Sequence, residues 1–319
     1  MKQYDVIALG ELLIDFATTG VSEAGNPVLE ANPGGAPCNV LSMLANLNKK
    51  VGFIGKVGKD FLGEFLAGEV TKQGIDIAGL SRDEKIPTTL AFVNNAPDGE
   101  RSFSFYRSPG ADMMLRKEDI DFSLLDNTTV FHFGTLSMTD PEVEAATRAA
   151  IDYAKSKGCI LSFDPNLRPP LWDDLDRAKA MMEAGMEVCD ILKISDNEIQ
   201  FVTGVDDIDE GIKIIKEKYN PTLLCATLGK DGSIVVYKDM WVRCDGFKME
   251  TCVDTTGAGD TFMACAINYV LERGMDDLSE DNLKEMLRFA NAAAAIITTR
   301  VGALKSMPVR AEVEALLNR

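Results

Sequence analysis

The stretch of the chain best suited to chemistry is Thr256-Gly257-Ala258-Gly259-Asp260, which precedes a segment with apolar residues at helical spacing. The small residues allow a tight turn, so the N–H groups of Gly257, Ala258 and Gly259 should lie at a helix N-terminus, where they favour an anion. Asp260 stands beside this anion site. Phosphoryl transfer to a hydroxyl would use such a carboxylate as the base. The alternative is that Asp260 only stabilises the helix, by about 0.3–1 kcal/mol.

Other polar residues follow predicted strands, at the edge where open α/β sheets bind ligands. Asp15 lies just past the strand predicted at 4–10 and is either an acceptor for substrate hydroxyls or a turn aspartate. Arg168 lies among three prolines, which predicts a rigid loop, and its forked guanidinium suits phosphate or carboxylate oxygens. The alternative is an ordinary surface arginine in a loop. Glu198 follows Ser195 by three residues, which matches a capping box. It could also hold magnesium-bound water near ATP phosphates.

Two glycine-containing segments also suit ligand binding. Gly34 and Gly35 precede a helix predicted to begin near Pro37, and they permit close approach of the backbone to a ligand. Asn39, near the start of that helix, can reach into a cleft. The segment 227–232 predicts a strand followed by a tight glycine turn, which would hold nucleotide phosphate or ribose, or simply connect a hairpin.

The elements that must position these residues alternate between strands and helices. This alternation predicts an α/β fold with a doubly wound, mostly parallel sheet flanked by helices. Strands are expected at 4–10, 51–57, 129–133, 159–163, 190–194, 222–228, 233–238 and 241–247. Helices are expected at 37–47, 58–73, 141–156, 176–188, 196–203, 208–218, 257–273, 282–300 and 309–318.

A hairpin signal interrupts this alternation. Residues 88–94 and 101–107 flank Pro97-Asp98-Gly99-Glu100, a turn sequence between two strand-like runs. We interpret it as a small β lid that also draws on the polar residues following the first strand. The prediction is a single domain, 1–319, with a lid from about 12–33 and 86–109. Apolar lid residues such as Phe105 allow a homodimer through the lid, but a lid in a monomer needs the same residues.

Composition excludes several classes of protein. The 319 residues are 46% hydrophobic and 26% charged, as expected of a soluble globular protein, with neither an apolar run long enough for a membrane span nor a secretory leader pattern. A net charge of −17 argues against nucleic acid as a partner. The seven cysteines are scattered, which is typical of core thiols in a reducing cytosol and predicts a cytoplasmic protein. The one histidine, His132, is expected to be structural.

Two segments resemble the signatures of a known family, whereas neither a P-loop nor a dinucleotide-binding fingerprint is present. Pro33-Gly34-Gly35-Ala36-Pro37-Cys38-Asn39 and Asp254-Thr255-Thr256-Gly257-Ala258-Gly259-Asp260 resemble the two signatures of the ribokinase-like carbohydrate kinases. The resemblance covers essentially the whole chain. With Phe163-Asp164-Pro165-Asn166-Leu167-Arg168 and Trp172, the chain is most similar to the fructokinases within that family.

The resemblance implies ATP-dependent transfer of the γ-phosphoryl group to a primary hydroxyl, first of all that of D-fructose. The alternatives are 2-keto-3-deoxygluconate kinase, ribokinase, aminoimidazole riboside kinase and a non-catalytic sugar-binding regulator on the same fold. The intact turn at 257–260 argues against the regulator, because a pure binder has no use for a base.

The resemblance also implies roles for individual residues. The base would be Asp260, and Gly257, Ala258 and Gly259 would form the anion hole, with Arg168 reaching the sugar or the transferred phosphate. The residues implied to hold sugar hydroxyls are Asp15, Gly34, Gly35 and Asn39, helped by Arg107 from the lid. Those implied to line the ATP and Mg²⁺ side are Lys193, Glu198, Thr227, Gly229, Gly232 and Asn291. Many members bind K⁺ between two loops, here implying Asp254, Thr256, Gly302 and Ser306.

Two positions depart from the family pattern. Ser195 stands where an asparagine is often found before the nucleotide helix, which puts the direct role of that position in doubt. Cys38 stands where a small alanine is common, so thiol reagents could affect the protein.

Overall fold

The computed structural model describes residues 3–95 and 101–318. In this part of the chain the strands are β1 (Tyr4–Leu9), β2 (Leu13–Val21), β3 (Pro27–Gly34), β4 (Val51–Gly58), β5 (Ile75–Asp83), β6 (Leu90–Asn95), β7 (Arg101–Tyr106), β8 (Thr128–Phe133), β9 (Ile160–Phe163), β10 (Ile191–Ser195), β11 (Leu223–Thr227), β12 (Ser233–Tyr237) and β13 (Met240–Cys244). The α-helices are α1 (Ala36–Asn46), α2 (Phe61–Lys72), α3 (Pro141–Ser156), α4 (Leu175–Met186), α5 (Asp196–Thr203), α6 (Ile208–Tyr219), α7 (Ala258–Arg273), α8 (Glu280–Ile297) and α9 (Arg310–Leu317).

The large sheet has the strand order β13-β12-β11-β10-β9-β8-β1-β4-β5. Its strands from β11 to β5 are parallel, and β12 and β13 add antiparallel strands at one edge. From β1 the chain winds outward to β4 and β5, and from β8 it winds the other way. This reversal between β1 and β8 creates a crevice at the carboxyl ends of the strands, where open α/β sheets bind ligands.

Helices cover both faces of the large sheet, as the alternating pattern predicted. One hydrophobic cluster packs α1, α2, α7, α8 and α9 against one face, and the other packs α3, α4, α5 and α6 against the opposite face. The central strand β1 contributes residues to both clusters, since Val6 and Ala8 belong to the first and Ile7 and Leu9 to the second. Strands buried on both faces are apolar nearly throughout, which is why the sequence marked them clearly.

A second, four-stranded sheet has the order β3-β2-β6-β7 and forms the small β lid. The pair β2 and β3 comes from the first segment predicted for the lid, and β6 and β7 come from the second. Strand β2 runs parallel to β6, while the pairs β2–β3 and β6–β7 are antiparallel. The turn predicted at 97–100 lies outside the described residues.

The edge strand β5 was not predicted. Its residues Asp76 and Ala78 are exposed and its apolar pattern is short, so it lacks the continuous apolar run of the central strands. Five of the seven cysteines are buried, in agreement with core thiols. Within the described residues, no helix is long and apolar enough to cross a bilayer.

Candidate active site

The helix α7 begins at Ala258, one residue later than predicted, and Gly257 precedes it with a left-handed backbone. The φ of Gly257 is 82°, and a Cβ there would lie 2.8 Å from Cβ of Ala303. Both facts demand glycine. The turn this conformation closes directs the N–H of Ala258 to the carbonyl of Thr255 at 3.3 Å. The N–H of Ala258 is therefore not a free donor, although it was predicted to be one.

Three other N–H groups at this helix end, those of Gly257, Gly259 and Asp260, have no hydrogen-bond partner among the described residues. They lie where the helix dipole is positive and favours an anion, and they differ from the predicted donors in having Asp260 in place of Ala258. The hydroxyl of Thr261 donates back to the carbonyl of Gly257 at 2.7 Å and stiffens the turn.

The Asp260 side chain is buried, with 6% of its surface exposed. Nδ2 of Asn39 donates to its Oδ2 at 2.8 Å, and Nδ2 of Asn166 donates to its Oδ1 at 3.3 Å. Burial raises the pKa of Asp260, although the Asn39 amide and the charges of Lys193 and Arg168 oppose this shift. A base with a raised pKa takes a proton from a hydroxyl more readily than an exposed aspartate does.

A buried ion pair lies beside the anion site. Nζ of Lys193 donates to both carboxylate oxygens of Asp164 at 3.0 Å. A Cβ built at Gly259 would lie 3.1 Å from this ammonium group, so its charge adjoins the free N–H groups. Burial alone would lower the pKa of Lys193, but Asp164, Glu198 and Asp260 together raise it, and the side chain stays charged.

On the sugar side of the predicted cleft, Asp15 lies in β2 rather than in a turn after β1. It is in register with Asn32 of β3. Burial raises its pKa to about 6, while the charge of Arg168 lowers it and that of Asp254 raises it. Arg168 is exposed, and its charge lowers the pKa of both Asp15 and Asp260.

The glycine pair before α1 is required by its neighbours. A Cβ at Gly34 would lie 2.2 Å from Oδ2 of Asp15, and a Cβ at Gly35 would lie 2.4 Å from the carbonyl oxygen of Glu11. Asn39 follows in the first turns of α1, and its Oδ1 is buried without a hydrogen-bond partner in the described part of the chain. A buried acceptor of this kind is costly unless a ligand donates to it.

Arg107 differs from its predicted role on the lid. The chain turns into the body after β7, and this side chain is buried. Nε donates to Oδ2 of Asp112 at 2.7 Å, Nη2 to the carbonyl of Leu136 at 2.8 Å and Nη1 to the hydroxyl of Thr139 at 3.0 Å. These contacts tie the lid to the body, and none of them supports direct sugar binding.

Glu198 forms the predicted capping box with Ser195 at the start of α5. Its Oε2 accepts from the N–H and the hydroxyl of Ser195, both at 2.8 Å. Its Oε1 accepts from the N–H of Leu167 at 2.8 Å, which ties α5 to the loop that carries Arg168.

The glycine turn between β11 and β12 forms as predicted. Thr227 ends β11, Gly229 has a φ of 56° with open space around its Cα, and Gly232 has a φ of 102°. A Cβ at Gly232 would lie 2.1 Å from the carbonyl oxygen of Cys244, so the neighbouring strand demands glycine there.

Asn291 in α8 was expected to face the nucleotide, but its amide is engaged within the protein. Its Oδ1 accepts from the hydroxyl of Ser233 at 2.9 Å, and its Nδ2 donates to the carbonyls of Cys244 and Asp245 at 3.1 and 3.2 Å. Asn291 thus fixes the strand and loop next to the glycine turn.

The two loops expected to share a K⁺ ion meet. Oδ2 of Asp254 accepts from the N–H of Gly302 at 3.2 Å, and its Oδ1 accepts from the N–H and hydroxyl of Thr256 at 2.8 and 2.6 Å. Ser306 closes the second loop by donating to the carbonyl of Val301 at 2.7 Å. Carboxylate, hydroxyl and carbonyl oxygens crowd this junction, and such oxygens suit a hard cation.

His132 lies in the core on β8, and its Nδ1 lies 3.0 Å from Oγ of Ser162. Burial, aided by the charge of Lys193, lowers its pKa to about 3. The imidazole is therefore neutral, and the prediction of a structural histidine agrees with its burial.

Comparison with known proteins places this geometry in a family. The profile of the pfkB family carbohydrate kinases matches residues 3–310. The chain belongs to this family. It is 38% identical over 314 residues to "Probable fructokinase-2" of Arabidopsis thaliana, an alignment that covers 98% of this chain and 95% of the relative.

Solved structures of the family agree with this assignment. Fructokinase from Xylella fastidiosa with bound ATP is 30% identical, with a TM-score of 0.87, covering 99% of this chain and 98% of that one. A fructokinase double mutant from Vibrio cholerae O395, bound to fructose, ADP and a potassium ion, is 28% identical with a TM-score of 0.86 and 99% coverage of both chains. The protein is thus a fructokinase-like sugar kinase with the ribokinase-like fold.

Sequence reasoning about this pfkB family kinase missed two residues next to Asp260. Asn166 and Asp164 both lie in the segment that carried the resemblance to fructokinases, but neither was given a role. The signal available was the run Asp164-Pro165-Asn166 directly after a buried strand, at the ligand-binding edge of the sheet.

Proposed function

We propose that this kinase transfers the γ-phosphoryl group of ATP to a primary hydroxyl of D-fructose. The observation that carries the proposal is the bonding of Asp260. A carboxylate that merely capped α7 would accept from the N–H groups of its own helix, but no side chain caps this helix. Both Asp260 oxygens instead accept hydrogen bonds from side-chain amides of other elements, so the helix N–H groups remain available to bind an anion.

In the proposed reaction, Asp260 accepts the proton of the sugar hydroxyl as the oxygen attacks phosphorus. The N–H groups of Gly257, Gly259 and Asp260 then stabilise charge on the transferred phosphoryl group, with the nearby ammonium of Lys193 adding positive charge. Preorganised donors of this kind act most strongly where water is excluded. The lid above the cleft supplies that exclusion when it closes over substrate.

The sugar is proposed to lie between Asp15 and Asp260. Asp15 accepts a hydroxyl hydrogen, and the unpartnered Oδ1 of Asn39 accepts another. Gly34 and Gly35 let the backbone approach the ligand closely, and Arg168 reaches the sugar or the transferred phosphate from its exposed loop. The preference for D-fructose is supported by the relatives, since one of them was crystallised with fructose and ADP.

ATP is proposed to lie over the ends of β10 and β11, against Thr227, Gly229 and Gly232. When bound, Mg²⁺ would offset the negative charge of the ATP phosphates, and it usually takes most of its ligands from phosphates and water. One protein carboxylate, Glu198, suits such a site through water. Asn291 acts by holding the neighbouring strand and loop in place.

A K⁺ ion is proposed for the junction of the Asp254 loop and the 300–306 loop. The oxygens of Asp254, Thr256 and Ser306 fit a hard monovalent cation, and Gly302 with its φ of 77° shapes the second loop. The junction adjoins Gly257 through Ala303, so an ordered ion would stiffen the anion site.

We also propose that the lid mediates a homodimer. Phe16, Phe92 and Tyr106 form a row of stacked and edge-on rings with centroid distances of 5.1 and 5.2 Å, and Tyr106 is 67% exposed. Leu29 is also exposed on β3. Sedimentation velocity should give a dimer that Tyr106→Glu converts to a monomer. A monomeric parent protein would contradict this proposal.

The function is tested with a panel of sugars and ATP. We expect the highest kcat/KM for D-fructose, ahead of ribose, 2-keto-3-deoxygluconate and aminoimidazole riboside, with product analysis placing the phosphate on a primary hydroxyl. Asp260→Asn keeps the shape of the side chain and removes the base, so kcat should fall by about 10²–10⁴-fold while sugar binding persists by calorimetry.

The outcomes separate the alternatives. A higher kcat/KM for another sugar would make that sugar the preferred substrate in place of D-fructose, and the proposed mechanism would stand. Sugar binding without phosphorylation of any sugar would show a regulator. Near-normal turnover in Asp260→Asn would remove the base assignment.

A further inference from the structure

We propose that Asn166 is a positioning residue that orients Asp260 for proton abstraction; this inference rests on the proposed role of Asp260 as the base. The two residues are 94 apart in sequence, and Nδ2 of Asn166 donates to Oδ1 of Asp260 at 3.3 Å. Asn39 donates to the other oxygen at 2.8 Å. The carboxylate is therefore held between two amides from opposite parts of the chain.

The loop that carries Asn166 is built to aim this amide. Asn166 has a left-handed backbone with a φ of 48°, and it follows Pro165. Oδ1 of Asp164 accepts the N–H of Asn166 at 3.2 Å, which is an Asx turn. The same carboxylate is fixed by two bonds from Lys193. The ion pair of Lys193 and Asp164 thus holds the backbone that carries the Asn166 amide.

Two neutral amides suit the base better than other donors would. Each amide hydrogen bond favours the ionised carboxylate, which has to be present when the hydroxyl arrives. An amide neither gains nor loses a proton near neutral pH, so Asn166 does not compete as a base. Because one lone pair of each oxygen is taken by an amide, the remaining lone pairs are fixed in direction, and a hydroxyl in the cleft meets a carboxylate that cannot rotate.

A simpler role for Asn166 is that of a residue that tolerates the left-handed backbone, since asparagine is enriched there. The chain offers a matched control for this alternative. Asn220 has the same φ of 48° at the end of α6 and is exposed, far in the fold from the proposed site. Glycine at either position relieves the backbone and removes the amide, but only at 166 does that amide reach Asp260.

The experiment compares Asn166→Gly with Asn220→Gly in steady-state kinetics with D-fructose and ATP across a pH series. We expect Asn166→Gly to lower kcat by about 10- to 100-fold. The KM for the sugar should change by less than about threefold, because the sugar contacts remain. The acid limb of kcat should move to higher pH, since Asp260 loses a donor that favours its ionised form. Asn220→Gly should match the parent in kcat, in the KM for the sugar and in the position of the acid limb.

A second variant, Asn166→Asp, places a carboxylate against Asp260, and like charges should move the acid limb further in the same direction. Thermal melting of all variants shows whether each is folded. Asn166→Gly with kcat within about twofold of the parent and an unmoved acid limb would overturn the inference. A parent protein that phosphorylates no sugar would overturn the proposed function itself, whereas an active parent with an inactive Asp260→Asn and a normal Asn166→Gly would overturn this inference alone.

Discussion

Replacing Lys193 with methionine should destabilise the fold strongly, because it leaves Asp164 without its counter-charge. The two side chains are only 7% and 3% exposed, and both hydrogen bonds between them measure 3.0 Å. Burial already raises the pKa of Asp164 to about 6 even with Lys193 present, and Glu198 and Asp260 add negative charge nearby. Breaking a buried pair of this kind typically costs about 3–5 kcal/mol, and we expect a loss of that order.

The double variant Lys193→Met/Asp164→Asn separates stability from catalysis. It removes both charges, so it should recover most of the lost stability. Its kcat should stay low, because the positive charge beside Gly259 is missing. Urea unfolding midpoints and steady-state kinetics on the same preparations measure the two effects.

Lys218→Met is a suitable control, since Lys218 pairs with Glu183 at 3.0 Å on the surface, where the lysine side chain is 53% exposed. We expect it to change the unfolding midpoint little. A Lys193→Met protein that unfolds at the same urea concentration as the parent would refute the electrostatic reasoning. A double variant no more stable than Lys193→Met would refute it as well.

Three further predictions concern the sugar side, the turn and the cation junction. Because the pKa of Asp15 is raised to about 6, its carboxylate protonates as the pH falls through that value, and the KM for the sugar should rise there; Asp15→Asn should flatten that pH dependence, and an unchanged parent KM would argue against the contact. Gly257→Ala combines a φ of 82° with a Cβ 2.8 Å from that of Ala303, so it should lose at least about 1–2 kcal/mol of stability; adding Ala303→Gly should restore only part, as urea midpoints will show. Asp254→Asn should weaken activation by K⁺, measured as kcat in KCl against choline chloride, and equal parent rates in the two salts would exclude the ion.

Much of the fold was readable because it depends on local patterns. Helices predicted at 141–156 and 196–203 are found as Pro141–Ser156 and Asp196–Thr203, each with a side chain at its N-cap that the sequence displays. Strand β5 was missed because an edge strand needs no continuous apolar run. In the lid, β2 is exposed towards its end and β3 at its beginning, and neither is a continuous apolar run, so only their place in the chain suggested them.

The site was less readable because hydrogen-bond partners are set by the tertiary structure. Asp260, Asp15 and the glycine pairs could be named from residue type and spacing. No spacing shows that Arg107 turns inward to Asp112, or that the amide of Asn291 is occupied by Ser233. The N–H of Ala258 is not a free donor because Gly257, the residue before it, has a left-handed backbone. The sequence allows this φ but does not determine it.

The two amide bonds on Asp260 also bear on how the protein matures. They join residues separated by 221 and 94 positions, so this carboxylate is held in place only when three distant segments of the chain have met. Closing such long loops is slow compared with forming local helices and turns. A chain in which α7 has not yet met α1 and the loop of Asn166 therefore lacks both bonds to Asp260.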